Sequence, residues 1–408
     1  MSLNTVPSTW RKNLGFQWSS TLYVAILGFV VSVLLARNLG VEDFGNYSYI
    51  LSLAGIFLII QDGGYKTLIF RESVDDSAQA LLSSGVAHVL SITVFGGLVV
   101  VLLQPQRWLA IFTAMSCMGL VVLSGFVSSL LKGKGDFKSD AIWKMVIRSL
   151  TAAGILWVLF FFEDSSITSL LVGWIMALLI ALIWPVAKGY LRWPSFNFNS
   201  ELFKSSMVFL TIDVATVFYF RSDIVLLEYF GNREGDVGQY SAAYRILEGI
   251  ILLATPVAMI AFRALRLHLN NKQKFFHLFW VLLLSMLSVA ILIVSIGALW
   301  GEEFMVFVFG VQYLTAGTLL FWLLLAMLFI LPNYILTQGA IALNRESGYA
   351  KIVIVVAIFN IVLNIKLIPE FGAMGAAWAT ILAEGVLCIG LSWMLLNEWR
   401  KSRNAYWG

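Results

Sequence analysis

Apolar runs long enough to cross a bilayer recur along the whole of this chain, and that repetition leaves few folds open. A membrane span needs about 20 mainly apolar residues. Twelve runs meet that length: 14–36, 46–65, 80–103, 108–131, 141–162, 166–187, 205–230, 239–262, 276–300, 314–337, 350–367 and 373–396. The chain is 60% hydrophobic and 12% charged, with mean hydropathy +0.87. A soluble domain lies nearer 45–50% apolar and about 25% charged. In hydrocarbon the backbone must satisfy its own polar groups, so runs of this length read as helices. The fold expected is all-α: a polytopic membrane protein of about twelve transmembrane helices. The first run is too long for the core of a signal peptide and lacks a cleavage site, so it reads as an uncleaved span.

Lysine and arginine accumulate in cytoplasmic loops. With a cytoplasmic N-terminus, 19 of the 27 basic residues fall in cytoplasmic segments and four (Arg37, Arg107, Arg233, Lys366) in outer ones. The other four, Lys144, Arg148, Arg221 and Arg245, lie within spans. This asymmetry supports an even number of spans with both termini in the cytoplasm.

The chain also repeats itself. Asp43-Phe-Gly-Asn-Tyr-Ser48 follows the first span and Asp236-Val-Gly-Gln-Tyr-Ser241 follows the seventh, 193 residues later. Each D-x-G-[N/Q]-Y-S opens a helix on the outer side, where Asp suits an N-cap and Gly a tight turn. Repetition at half-length points to two parallel six-span halves: a bundle at 1–190, a cytoplasmic linker at 191–204 containing Trp193-Pro-Ser-Phe-Asn197, and a second bundle at 205–408.

Ionisable groups at bilayer depth are costly and mark a bundle interior or a wet pathway. They concentrate in the hairpin 202–262, whose first helix carries Asp213, Arg221, Asp223 and Glu228 and whose second carries Arg245 and Glu248. At 100° per residue, Arg221 and Glu228 sit about 20° apart and Asp213 about 80° from Arg221, which makes one wide polar face. Lys144 and Arg148 share a face at i,i+4. Glu384 stands alone in the last span. Pro256 and Pro332 fall inside the eighth and tenth spans, where proline removes a backbone hydrogen bond.

Several functions are disfavoured. No G-x-x-x-x-G-K-[ST] occurs, so no phosphate-cradling loop for a nucleotide is present, and Lys132-Gly-Lys-Gly-Asp136 lacks the spacing. No Cys/His metal spacing occurs, and His88, His268 and His277 are dispersed. Cys117 and Cys388 sit in apolar runs and read as small hydrophobes. A net charge of +4 without a basic, aromatic-interleaved surface segment gives no case for nucleic acid. The short outer loops argue against an enzyme that needs a large outer domain. No cofactor or metal is expected.

Local sequences then resemble one family. Leu35-Ala-Arg-Asn-Leu-Gly-Val-Glu-Asp-Phe-Gly-Asn-Tyr47, Gln61-Asp-Gly-Gly-Tyr-Lys-Thr-Leu-Ile-Phe-Arg-Glu72, Gly238-Gln-Tyr-Ser-Ala-Ala-Tyr-Arg-Ile-Leu247, Phe309-Gly-Val-Gln-Tyr313, Asn360-Ile-Val-Leu-Asn364 and Ile368-Pro-Glu-Phe-Gly-Ala-Met-Gly-Ala-Ala-Trp-Ala-Thr380 are similar, in order, to polysaccharide transporters. These are the Wzx-type flippases of the multidrug/oligosaccharidyl-lipid/polysaccharide exporter superfamily. The resemblance implies two pseudo-symmetric six-helix bundles around a central cavity. It implies movement of a polyprenyl-pyrophosphate-linked oligosaccharide across a bacterial inner membrane, by ion-coupled alternating access, for O-antigen (lipopolysaccharide), capsule or exopolysaccharide. The partners implied are the lipid-linked oligosaccharide, H+ or Na+, membrane lipid, and a polysaccharide polymerase with its chain-length regulator. A multidrug antiporter of the same superfamily and a multi-span glycan polymerase stay open as alternatives.

Such a carrier needs cations for the pyrophosphate, and arginine's planar fork binds two oxygens at once. The candidates for substrate binding are Arg221, Arg245, Arg148 and Lys144. The candidates for ion coupling are Glu384, Asp223, Asp213 and Glu248, and the candidate hinges are Pro256 and Pro332.

Overall fold

The protein is described from a computed structural model for residues 8–72, 78–162, 166–191, 193–195, 210, 222–231 and 233–404. Its described elements are helical throughout: α1 Ser8–Asp62, α2 Tyr65–Glu72, α3 Ala78–Leu103, α4 Trp108–Gly133, α5 Phe137–Phe161, α6 Ile167–Ala187, α7 222–230, α8 Asp236–Leu267, α9 Lys272–Phe309, α10 Leu314–Ala342, α11 Glu346–Phe371 and α12 Ala373–Asn404. Among the described residues, nine stretches are long and apolar enough to cross a membrane, and the first of them, Gly15–Asp62, holds two of the expected runs. The chain is a multi-span membrane protein.

Several helices run past the expected spans, and two differences stand out. The loop between the first two spans is a single-residue corner, because helix α1 breaks only at Gly40, with φ 78° and ψ 178°. That conformation is essentially open to glycine alone. Helix α9 runs 38 residues, Lys272–Phe309, instead of 276–300. At 1.5 Å per residue this is about 57 Å, longer than a hydrocarbon core of about 30 Å.

The chain divides into two compact units. Unit 1 is Met1–Asn38 with Tyr49–Arg221, and unit 2 is Leu39–Ser48 with Ser222–Gly408.

In unit 1, α4 is the most enclosed helix and packs against α2, α3, α5 and α6. Leu68, Ile69, Leu81, Leu82, Val122 and Phe126 form one of its apolar cores. Helices α5 and α6 meet at Gly154 and Gly173, where a β-carbon on either would collide with the other's carbonyl oxygen. Small residues at such a crossing let backbones approach closely in lipid. Several polar groups inside this unit are tied: Gln61 Nε2 donates to Thr93 Oγ1 at 2.8 Å and Met115 O at 2.9 Å, and His88 Nε2 lies 2.8 Å from Ile60 O.

In unit 2, α10 is central, with α8, α9 and α12 against it and α11 against α12. Leu265, Phe275, Phe279, Ile335, Leu336 and Leu391 belong to its main apolar core. The second D-x-G-Q-Y-S segment fastens three helices at once. Asp236 accepts the Ala373 N–H at 2.9 Å and so caps α12. The expectation was that Asp236 would cap its own helix, but that place is taken by Gly235 in the left-handed region at φ 81°. Gln239 accepts the Ala316 N–H at 2.9 Å in the first turn of α10 and donates to Gln312 O at 2.8 Å. Tyr240, fully buried, donates its hydroxyl to Asp223 in α7 at 3.1 Å. The first copy of the motif also lies in this unit. Gly45 and Gly238 meet backbone to backbone, and Tyr313 donates to Gly40 O at 3.2 Å.

Candidate functional site

Asp223 stands at the centre of a polar cage buried in unit 2. It is 4% exposed, at the second described residue of α7, and three helices converge on its carboxylate. Tyr240 Oη (α8) and Thr380 Oγ1 (α12) donate to Oδ2, each at 3.1 Å, and Asn364 Nδ2 (α11) donates to Oδ1 at 2.9 Å. Asn364 Nδ2 also lies 3.1 Å from Asn360 Oδ1, one turn earlier on α11. Asn364 Oδ1 is buried and accepts no hydrogen bond.

Three neutral donors do not cancel a full negative charge at this depth, where an isolated carboxylate is costly. Among the described residues no lysine or arginine pairs with Asp223. The carboxylate, two amide oxygens one helical turn apart and the threonine hydroxyl supply oxygen ligands alone. Hard cations such as Na+ prefer that donor set, and a proton on Asp223 would remove the same charge. The unfilled Asn364 oxygen is a buried acceptor that ordinarily requires a partner.

Unit 1 holds a second buried polar centre of opposite character. Asp140, 0% exposed near the start of α5, accepts from Lys144 Nζ at 2.8 Å, from Gln17 Nε2 at 2.7 Å and from the Ser128 hydroxyl. Lys144 Nζ donates in turn to Gln17 Oε1 at 2.9 Å. One turn along the same face, Arg148 lays its guanidinium across Gly28, where a β-carbon would strike the Arg148 Nη2 and sit 3.1 Å from its Cζ. Glycine at 28 is what leaves room for this arginine.

The other candidates fall as follows. Arg245 and Glu248 pair on α8 at 2.8 Å, with side chains 23% and 31% exposed. Glu384, buried in α12, accepts from Asn333 Nδ2 at 2.7 Å through its carboxylate and at 3.1 Å through its backbone carbonyl. Pro332, next to Asn333, lies inside α10, and Pro256 lies within α8. Arg221 and Asp213 lie outside the described residues, as does much of the linker 191–204.

Reading charges within the expected spans missed the uncharged Asn360, Asn364, Thr380, Asn333 and Gln17, and also Asp140, which lies just ahead of the expected fifth span in the first turn of α5. The signal available was amides in apolar runs, above all the i,i+4 pair Asn360 and Asn364, which share a helix face.

Comparison with known proteins adds a frame. Residues 10–265 match the family model described as "Polysaccharide biosynthesis protein". The probable low-salt glycan biosynthesis flippase Agl15 of Haloferax volcanii is 26% identical over 391 residues, covering 90% of this chain and 79% of that protein. The capsular polysaccharide biosynthesis protein CapF of Staphylococcus aureus is 23% identical over 399 residues, covering 93% and 97%. In fold, the chain superposes on the lipid II flippase MurJ in an inward closed conformation with a TM-score of 0.74 at 15% identity, over 94% of this chain and 87% of that one.

Proposed function

Because the chain belongs to the polysaccharide biosynthesis protein family, we propose that it is a flippase that carries a polyprenyl-pyrophosphate-linked oligosaccharide from the cytoplasmic to the outer leaflet of the bacterial inner membrane, driven by a cation gradient. The glycan feeds a surface polysaccharide such as O-antigen, capsule or exopolysaccharide, and a polymerase with its chain-length regulator takes over on the outer face. The chain transports and does no bond chemistry of its own.

The observation that carries this reading is the division of charge: a basic pair, Lys144 and Arg148, beside the buried Asp140 in unit 1, and a buried carboxylate cage around Asp223 in unit 2. A pyrophosphate needs the first and a coupling cation needs the second. Lys144 is held in place by Asp140 and Gln17. Arg148 extends beyond it on the same face with the fork that suits phosphate. Arg221 and Arg245 are further cations for the head group, and Arg245 must loosen from Glu248 to serve. Asp223 takes the coupling H+ or Na+, with Asn360, Asn364 and Thr380 as neutral ligands. The bundles at 1–190 and 205–408, joined by 191–204, are the bodies whose relative movement gives alternating access.

The test is deletion of the gene followed by leaflet-resolved analysis of lipid-linked sugars. An intact unit trapped on the cytoplasmic side is the expected result, with Lys144→Ala/Arg148→Ala and Asp223→Asn each reproducing the block. Units that reach the outer leaflet unpolymerised would identify a polymerase, and unchanged lipid-linked sugars would leave a small-molecule antiporter.

A further inference from the structure

One buried group has no part in the cage just described. Glu384 lies on α12 one turn beyond Thr380, toward the end that the loop charges assign to the cytoplasm, and it is 6% exposed. Residues four apart on a helix are neighbours on one face, so a ligand of the Asp223 cage and a second buried carboxylate adjoin on α12. Asn333 of α10, 4% exposed, points its amide at this carboxylate: Nδ2 donates to Glu384 Oε2 at 2.7 Å. Its other atom, Oδ1, is buried and accepts no hydrogen bond. The pair therefore repeats the composition of the cage, an acid fastened by an asparagine whose own carbonyl oxygen is unfilled. Each of the two clusters takes its asparagine from a different helix, α11 for Asp223 and α10 for Glu384. Two titratable groups feel the charge of Glu384: Tyr349 of α11, and Cys388, one turn further along α12.

We propose that Glu384 and Asn333 form a second station for the coupling cation, between the Asp223 cage and the cytoplasmic end of unit 2. The cation passes along α12 from Asp223 and Thr380 to Glu384, and leaves past Cys388 and Ser392. The ligand is a small monovalent cation held by the carboxylate and the Asn333 carbonyl oxygen, and Na+ and H+ share that chemistry. Two stations let the cation leave the cage without crossing an apolar stretch in one step, because it meets a second carboxylate before it reaches the cytoplasmic end. The placement of Pro332 beside Asn333 ties the station to the helix that lacks a backbone hydrogen bond there.

This rests on the reading of Asp223 as the primary cation site, and the experiment separates the two. The purified full-length chain is titrated with radioactive sodium. In parallel, infrared difference spectra follow carboxyl groups during acid titration. The wild type should bind two sodium ions, or show two protonating buried carboxyls if the coupling ion is H+. Glu384→Gln and Asn333→Ala should each lose one sodium and Asp223→Asn the other, or, in the proton case, Glu384→Gln and Asp223→Asn should each lose one carboxyl signal. Asn333→Asp, which keeps the shape and adds a ligand charge, should tighten sodium binding on the order of tenfold, and this guards against mistaking misfolding for a lost site. If Glu384→Gln leaves the stoichiometry and both carboxyl signals intact while Asp223→Asn changes them, the second station is wrong and the cage stands. If Asp223→Asn changes nothing while Glu384→Gln removes binding, Glu384 is an ion site but not a second one, and the order proposed here is overturned.

Discussion

A β-carbon built on Gly45 would lie 2.8 Å from the amide nitrogen of Gly238, so the two copies of D-x-G-[N/Q]-Y-S touch at their glycines. A β-carbon on Gly238 would in turn run into the carbonyl oxygen of Val41. Neither neighbour is a flexible side-chain end, and backbone atoms cannot swing aside.

Gly238→Ala should therefore push Leu39–Ser48 away from the rest of unit 2 and destabilise the chain by about 1–3 kcal/mol, the cost of overpacking. Gly55→Ala is the control. Nothing lies within 4 Å of a β-carbon at Gly55, and alanine in a helix gains about 0.5–1 kcal/mol over glycine. Thermal unfolding in detergent should give opposite signs for the two.

At the cage, Asp223→Asn preserves shape while removing charge, so it should abolish cation-driven transport and leave the folded protein as stable as before or more so. Asn364→Leu and Thr380→Val should weaken cation affinity by about 10–100-fold, as loss of supporting ligands does at metal sites. Transport in vesicles with an imposed Na+ or pH gradient measures both. Full coupling in Asp223→Asn would remove the cage from the mechanism.

Gly28→Ala puts its methyl where the Arg148 guanidinium lies, and a guanidinium at the end of a long side chain can move. Stability should change by under about 1 kcal/mol, whereas flipping should fall as it does in Arg148→Ala. Equal transport in Gly28→Ala and wild type would show that the position of Arg148 does not matter.

Asp140→Ala removes the acid that holds Lys144, Gln17 and Ser128. Breaking a fully buried pair costs about 3–5 kcal/mol, but Lys144 is 29% exposed and can reach water, so a loss of about 1–3 kcal/mol is expected. Denaturant or thermal unfolding of the purified chain reads this directly. A neutral outcome would mean that the lysine is solvated without its partner.

Pro332→Ala restores a backbone donor inside α10. If the helix bends there during transport, the rate should drop while substrate affinity holds. An unchanged rate would dismiss Pro332 as a hinge.

The membrane spans and the two glycine motifs were legible because they depend on local composition. Inside unit 2 the polar cage was only half visible. Asp223 announces itself as a charge in an apolar run, but Asn364 and Thr380, 141 and 157 residues further on, are uncharged and meet it only through helix packing. Asp236 could be read as a cap and could not be assigned to α12, because the partner amide, Ala373, is 137 residues away. The corner at Gly40 escaped notice for another reason: one residue in a glycine-only conformation does the work of a loop, and the turn signals beside it, Asp43 and Gly45, lie inside the helix that follows.

Those sequence separations also set an order of events during synthesis. Asp223, Tyr240 and Asp236 enter the membrane well before the residues that complete their hydrogen bonds, and Thr380 and Ala373 arrive with the last helix. Until then the nascent protein carries an acid in lipid with its cage open, and a chain truncated before α12 cannot close it. The cage is thus the final piece of unit 2 to be assembled, and a chain that stops short of α12 leaves Asp223 without the Thr380 hydroxyl.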